Sequence, residues 1–145
     1  MEFSKFKFNI VTKKDKKYIY DIIRKKYILL TEEEKVRQIT INYLISELRV
    51  PVSHIATEKG FLIDTGLKKR FDAIVYDRHG KIAILIECKS PKIKINSKVI
   101  DQILIYNKKL KSKYLMLTNG NHTIALDCNN NDIKQIKTLP KYLDL

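Results

Sequence analysis

The sequence is poor in the residues that build several common kinds of site. Its two cysteines, Cys88 and Cys128, are too few and too far apart for a disulfide framework, and no CxxC pair exists. Its three histidines, His54, His79 and His122, are scattered rather than set at ligand spacing, which argues against zinc. Of four glycines none sits in a GxxxxGK(S/T) phosphate loop, so no ATP-driven motor is expected in this chain. No apolar run is long enough to span a bilayer, and Met1-Glu2-Phe3-Ser4-Lys5 lacks the apolar stretch of a signal peptide. A cytoplasmic address with no membrane partner is the expectation. Acidic residues are scarce as well, 16 against 29 basic, leaving a net charge of +13. That balance favours polyanions, nucleic acid first among them, although an AT-rich genome's taste for lysine, isoleucine and asparagine produces the same charge.

What is present is a chain of 145 residues, 44% hydrophobic and 31% charged, long enough to bury a real core. One domain is expected over 1–145, with an N-terminal extension (1–30), a core (31–128) and a tail (129–145). Phe3, Phe6 and Phe8 suggest a short edge strand in residues 1–12. Tyr18, Ile19, Ile22 and Ile23 among lysines predict a short amphipathic helix over Asp15 to Tyr27. Thr31 stands three residues before Glu34, a capping box opening a helix that runs to about Leu48 and stops before Pro51. A short strand is expected at Ile55–Glu58, with Phe61–Asp64 either pairing with it or extending a loop, and Lys68-Lys69-Arg70 reads as a basic connection. The strand Phe71–Tyr76, the turn Asp77–Gly80 and the strand Lys81–Lys89 follow. A helix from about Ser97 to Leu110 then leads to strands Tyr114–Thr118 and Thr123–Asp127, followed by a weakly structured tail or short helix. The helix at 97–110 reads as a crossover between parallel neighbours. The class is therefore α/β, a central mixed β-sheet flanked by helices.

The chemistry concentrates in Ile86-Glu87-Cys88-Lys89-Ser90-Pro91. Alternation along a strand puts Glu87 and Lys89 on one face of an otherwise apolar run, where charge is costly unless paired or bound. Asp72, in the preceding apolar strand, brings a second acid. Two carboxylates on neighbouring strands suit Mg²⁺, which takes hard oxygen ligands and keeps several waters. Asp72, Glu87 and the backbone carbonyl of Cys88 would hold the ion, and Lys89 would orient or deprotonate the attacking water. Mn²⁺ is an expected substitute. The plain alternative for the three charged residues is an ion-pair network within the sheet. Glu34 lies near the helix face of Ile41, Ile45 and Leu48, ahead of Glu33 as a further site acid; either can instead be a simple cap. Gln102 and Tyr106 form an i, i+4 pair that composition alone would leave on the solvent side.

Taken in order, Glu34-Lys35-Val36-Arg37-Gln38, Arg70-Phe71-Asp72, Glu87-Cys88-Lys89-Ser90-Pro91, Gln102-Ile103-Leu104-Ile105-Tyr106 and Leu117-Thr118-Asn119-Gly120 form a series. Over roughly residues 30–125 this resembles the N-terminal nuclease domain of type I restriction enzyme R subunits, within the PD-(D/E)xK nuclease superfamily. The resemblance implies a restriction-endonuclease-like core, metal ligation by Asp72 and Glu87, and Lys89 as catalytic lysine. It implies that Glu34 is the acid of the first core helix and that Gln102 and Tyr106 are the Gln-x-x-x-Tyr motif supporting the site or contacting DNA. Arg70-Phe71 replaces the more usual proline before the first acid. The expected function is metal-dependent hydrolysis of DNA phosphodiester bonds, as an endonuclease or a nuclease module of restriction type. Lys68, Lys69, Arg70, Lys92 and Lys94 would hold the phosphate backbone. The alternative is a catalytically silent nuclease-fold module that binds nucleic acid or a protein partner. RNA is not separable from DNA by composition, and the expected protein partners are a second copy, since double-strand cutting needs two sites, or other restriction-system subunits.

Overall fold

In the computed structural model, which describes residues 2–64 and 66–145, the chain begins as strand rather than helix. Strands β1 (Ile10–Lys13), β2 (Lys16–Asp21) and β3 (Lys26–Leu29) form an antiparallel meander. The helix expected over Asp15–Tyr27 is therefore wrong. In Tyr18-Ile19-Tyr20 a fully buried isoleucine alternates with two half-buried tyrosines, a period of two that aromatic and β-branched residues favour. Lys14 and Asp15 adopt positive φ (51° and 63°), the backbone that a tight hairpin needs. An edge strand does begin within residues 1–12, β1 from Ile10 at the margin of the meander, but it lies after the phenylalanines rather than on them. Phe3–Lys5 is one 3-10 turn, and Phe3 stacks on Phe8 at 4.4 Å before β1 begins.

Helix α1 (Glu32–Ser46) starts where expected, with the Thr31 hydroxyl accepting the Glu34 amide at 3.0 Å. Only this half of the capping box forms, because the Glu34 carboxylate turns to other partners. Strands β4 (Ile55–Asp64), β5 (Leu67–Tyr76), β6 (Ile82–Cys88), β7 (Tyr114–Thr118), β8 (Thr123–Asp127) and β9 (Lys134–Ile136) follow in one sheet, in that spatial order. Only β6 and β7 are parallel among its pairs, and helix α2 (Ser97–Leu110) crosses between them as expected. Val36 and Leu44 of α1 pack with Ala73, Val75, Ile84 and Ile86 in one apolar cluster. Ile103 of α2 packs with Phe71, Ile74, Leu85 and Leu117 in the other. This is the mixed sheet flanked by helices.

Three further expectations need correction. Ile55–Asp64 is one ten-residue strand, not two pieces. Lys68, Lys69 and Arg70 lie inside β5, so they are strand side chains rather than a loop. The tail is structured: β9 extends the sheet, and Leu139 and Tyr142 are buried in the core. Tyr142 donates its amide to Leu48 O at 2.7 Å, and its hydroxyl lies 2.9 Å from His54 Nδ1.

Gly120 shows how the β7–β8 turn is fitted to α1. Its φ is +88°, and a Cβ placed there would sit 3.2 Å from Val36 Cγ2. Gly120→Ala is therefore expected to cost about 1–2 kcal/mol from backbone strain alone, measurable by urea denaturation.

Candidate active site

The register Ala73↔Ile86 leaves Asp72 and Glu87 as the next facing positions on β5 and β6. The two side chains do not simply share a face, because β5 changes face at this point. Phe71 and Ile74 belong to the cluster with Ile103 of α2, while Ala73 and Val75 belong to the cluster with Val36 of α1. Glu58, between the pairs Thr57↔Ala73 and Lys59↔Phe71, has a φ of 54°, so the partner strand is irregular at the same level. Asp72 is consequently held between the strand edge and α1. Its Oδ2 accepts the Cys88 amide at 2.8 Å, and its Oδ1 accepts an Arg37 guanidinium N–H at 2.6 Å.

Glu87 turns the other way, into a cavity of about 70 Å³ lined by Lys69, Lys89, Gln102 and Tyr106 over Val99, Ile103 and Leu117. The carboxylate is buried. Burial, and next the charge of Asp72, push its pKa above the usual glutamate range; Lys69 and Lys89 offset this in part. Lys69 Nζ lies 3.1 Å from Oε1 and Lys89 Nζ 3.7 Å from Oε2. Oε1 nevertheless accepts no well-directed hydrogen bond, so the Lys69 contact is an ion pair. Gln102 donates to the Tyr106 hydroxyl at 3.2 Å, and the Tyr106 ring stands edge-on to Phe71 at 6.5 Å. The pair Gln102 and Tyr106 thus faces Glu87 and Lys89.

Glu34 does not join Glu87 in this cavity. It is buried on α1, where Arg24 and Gln38 donate to its Oε1 and Arg37 donates to its Oε2. Arg24 also bonds Asp21 at 2.8 Å, and fully buried Asp21 accepts Gln38 Nε2 and the amides of Ile23 and Arg24, each at 2.8 Å. A chain of alternating charge results, Asp21, Arg24, Glu34, Arg37, Asp72. Glu34 meets Asp72 through Arg37. The ion-pair alternative weighed for Asp72, Glu87 and Lys89 is thus present for Asp72, but through α1 and the meander rather than within the sheet, and Glu34, weighed as a simple cap, is a member of it. Glu33 is exposed, 3.7 Å from Arg37.

Among the residues expected to hold a phosphate backbone, only Lys69 lines the cavity. Arg70 is exposed, 3.9 Å from Glu58, and Lys68, Lys92 and Lys94 are exposed. Sequence reasoning assigned no role to Arg37, Arg24, Asp21 or Gln38. Two signals were available: Arg37 stands three residues after Glu34, within reach along the same side of the helix, and Asp21 precedes a turn whose amides an aspartate side chain can take.

Of the expected donors, Glu87 is the one whose carboxylate oxygen faces a cavity where a hard divalent cation could sit, while both Asp72 oxygens already accept hydrogen bonds. Glu87 Oε1 is a buried carboxylate oxygen whose one charged partner is the Lys69 ammonium at 3.1 Å, and burial, then the charge of Asp72, raise the cost of ionising it. Among the described residues no cluster of three or more histidines, cysteines and acids forms a metal site. Water and the Cys88 carbonyl would supply the remaining ligands, an arrangement Mg²⁺ tolerates.

A family model described as type I restriction enzyme R protein N terminus (HSDR_N) matches residues 32–140. The chain belongs to this family. The matched segment runs from α1 through β9 and contains Glu34, Asp72, Glu87, Lys89, Gln102 and Tyr106. The meander, with Asp21 and Arg24, precedes the part of the chain that matches the R-protein N-terminus family. No curated protein matches the chain. A solved structure from Anabaena variabilis ATCC 29413, described as a candidate nuclease belonging to DUF820, is similar with a TM-score of 0.46 and 14% identity. That similarity covers 93% of this chain and 88% of the other. No helix among the described residues is long and apolar enough to cross a membrane.

Proposed function

We propose that this R-protein N-terminus domain is a PD-(D/E)xK-type deoxyribonuclease that hydrolyses DNA phosphodiester bonds with Mg²⁺, Mn²⁺ substituting. The observation that carries this reading is buried Glu87, its Oε1 held only by the Lys69 ion pair, in a cavity shared with Lys89, Gln102 and Tyr106. Asp72, Glu87 and the Cys88 carbonyl would hold the cation, which when bound supplies an acidified water and neutralises charge on phosphorus. The Cys88 amide and Arg37 hold the Asp72 carboxylate between β6 and α1, so to join the ion it would use the second lone pair of an oxygen that already accepts a hydrogen bond. The Lys89 ammonium, 3.7 Å from Glu87 and about one-third exposed, can meet a phosphate oxygen and orient or deprotonate the attacking water. Gln102 and Tyr106 keep a hydrogen-bonding pair at the cavity wall where the phosphodiester would lie. Exposed Lys68, Arg70, Lys92 and Lys94 add backbone contacts outside it.

The test is cleavage of supercoiled, linear and single-stranded DNA, and of RNA, by the purified protein with Mg²⁺, Mn²⁺ or chelator. Metal-dependent DNA cleavage is expected, lost with chelator and reduced by about two orders of magnitude or more in Lys89→Met. One observation favours a second reading, a silent module that binds nucleic acid or a protein partner. Arg37 and the lysines already neutralise both acids. Salt-sensitive, metal-independent binding with no cleavage of any substrate would establish it. Cleavage of RNA alone would replace the DNA assignment. Restriction-type double-strand cutting takes two sites, so a dimer or a larger restriction assembly is the setting we propose for it.

A further inference from the structure

Lys69 is the basic residue whose position differs most from a simple backbone contact. It extends from β5 into the cavity, its side chain about three-quarters buried. Its ammonium lies 3.1 Å from Glu87 Oε1, the carboxylate oxygen that accepts no directed hydrogen bond. Two aromatic faces hold it there, Phe71 with its centroid at 5.3 Å and Tyr106 at 5.6 Å. Its stem thus has a packed seat, and its charge sits beside the oxygen that a divalent cation would use.

We infer that Lys69 is the resident counter-ion of Glu87 and competes with the divalent cation for Oε1. This rests on the metal-dependent reading above. When a cation takes Oε1, like charges exclude the ammonium from that position. Its nearest alternative is the mouth of the same cavity, alongside Lys89, where a phosphodiester drawn to the metal would receive it. Lys69 therefore has two stations, Glu87 without metal and the substrate phosphate with it. An exposed lysine has neither. The arrangement keeps a buried carboxylate paired while the site is empty of cation, and it delivers a positive charge to the substrate when the site fills.

Opposite effects on two measurements distinguish this from a structural or a backbone-binding role. Lys69→Met keeps the stem on Phe71 and Tyr106 and removes only the charge. Mn²⁺ affinity, measured by calorimetry on the full chain without DNA, is expected to tighten about fivefold, a partly buried competing charge being of that order. Cleavage at saturating Mn²⁺ is expected to slow about tenfold or more. Lys134→Met, which removes the same charge from β9 at the far edge of the sheet, controls for overall electrostatics and should change neither. Unchanged or weaker Mn²⁺ binding in Lys69→Met overturns the competition. Tighter binding with undiminished cleavage overturns the hand-over to phosphate. If the unsubstituted protein binds no Mn²⁺ and cuts nothing, the metal reading itself fails and this inference with it. Metal binding that Glu87→Gln abolishes but Lys69→Met leaves alone overturns the inference and spares the reading.

Discussion

Replacing Glu87 by glutamine is expected to abolish metal-dependent cleavage, by three orders of magnitude or so, and yet leave the folded protein at least as stable. The two effects have one cause. Glu87 is buried, and burial together with the charge of Asp72 raises its pKa in the folded state. A carboxyl with a raised folded pKa binds its proton more tightly folded than unfolded. Stability is then lost as pH climbs from the ordinary glutamate value through the folded one, and at neutral pH the ionised group is a net cost. Glutamine keeps the shape without that cost; Lys89, about one-third exposed, can turn to water, and the Lys69 ammonium keeps its place over the Phe71 and Tyr106 rings. The metal ligand, however, is gone. Thermal melts at pH 5 and pH 8 should show the native protein gaining less on Glu87→Gln at the lower pH, where Glu87 is nearer to neutral. The same shift predicts that metal binding weakens on acidification sooner than an ordinary glutamate would allow. A marked loss of stability in Glu87→Gln at pH 8 would mean that the lysine pairs outweigh burial.

Arg37→Met should do the reverse and strike the fold first. Arg37 is buried, with one N–H on Asp72 at 2.6 Å and another on Glu34. Burial works against its charge, but the bond to Asp72 and the charges of Glu34 and Asp72 hold the guanidinium firmly protonated. Its removal leaves Glu34 with Arg24 and Gln38 only, and Asp72 with the Cys88 amide only. Loss of one partner from a buried pair costs about 3–5 kcal/mol, a large share of the stability of a domain this size. Urea denaturation should register it. Adding Asp72→Asn to Arg37→Met should recover part of the loss, because the stranded charge is then absent; a double variant no more stable than the single would show that Arg37 acts through packing alone.

The family match begins at residue 32, yet the charge chain that reaches Asp72 starts at Asp21 in the meander. Misreading Asp15–Tyr27 as a helix concealed this. A short stretch with tyrosines and isoleucines among lysines fits either period, and two positive-φ residues with no glycine gave no turn signal. By contrast α2, β7 and β8 were legible to the residue because their apolar spacing and flanking turns agree. The tail was illegible for another reason: Leu139 and Tyr142 have no periodic neighbours and become core only by docking, Leu139 near Tyr43, Met116 and Ala125 and Tyr142 beside Leu48 and His54.

The same division holds at the candidate site. The order of chemistry along the chain, an acid, a hairpin, Glu87-Cys88-Lys89, then Gln102 and Tyr106, is a property of the sequence, since strand alternation and helix period decide which side chains share a face. Sequence also determined that β6 and β7 lie parallel, because a helix of that length between them permits a crossover. Tertiary structure alone decided which base each acid meets. The change of face at Asp72 turned it toward Arg37, and the rings of Phe71 on β5 and Tyr106 on α2 seat Lys69 beside Glu87. Those partners lie on different elements, and their pairing follows from packing distance and burial, which no local period encodes.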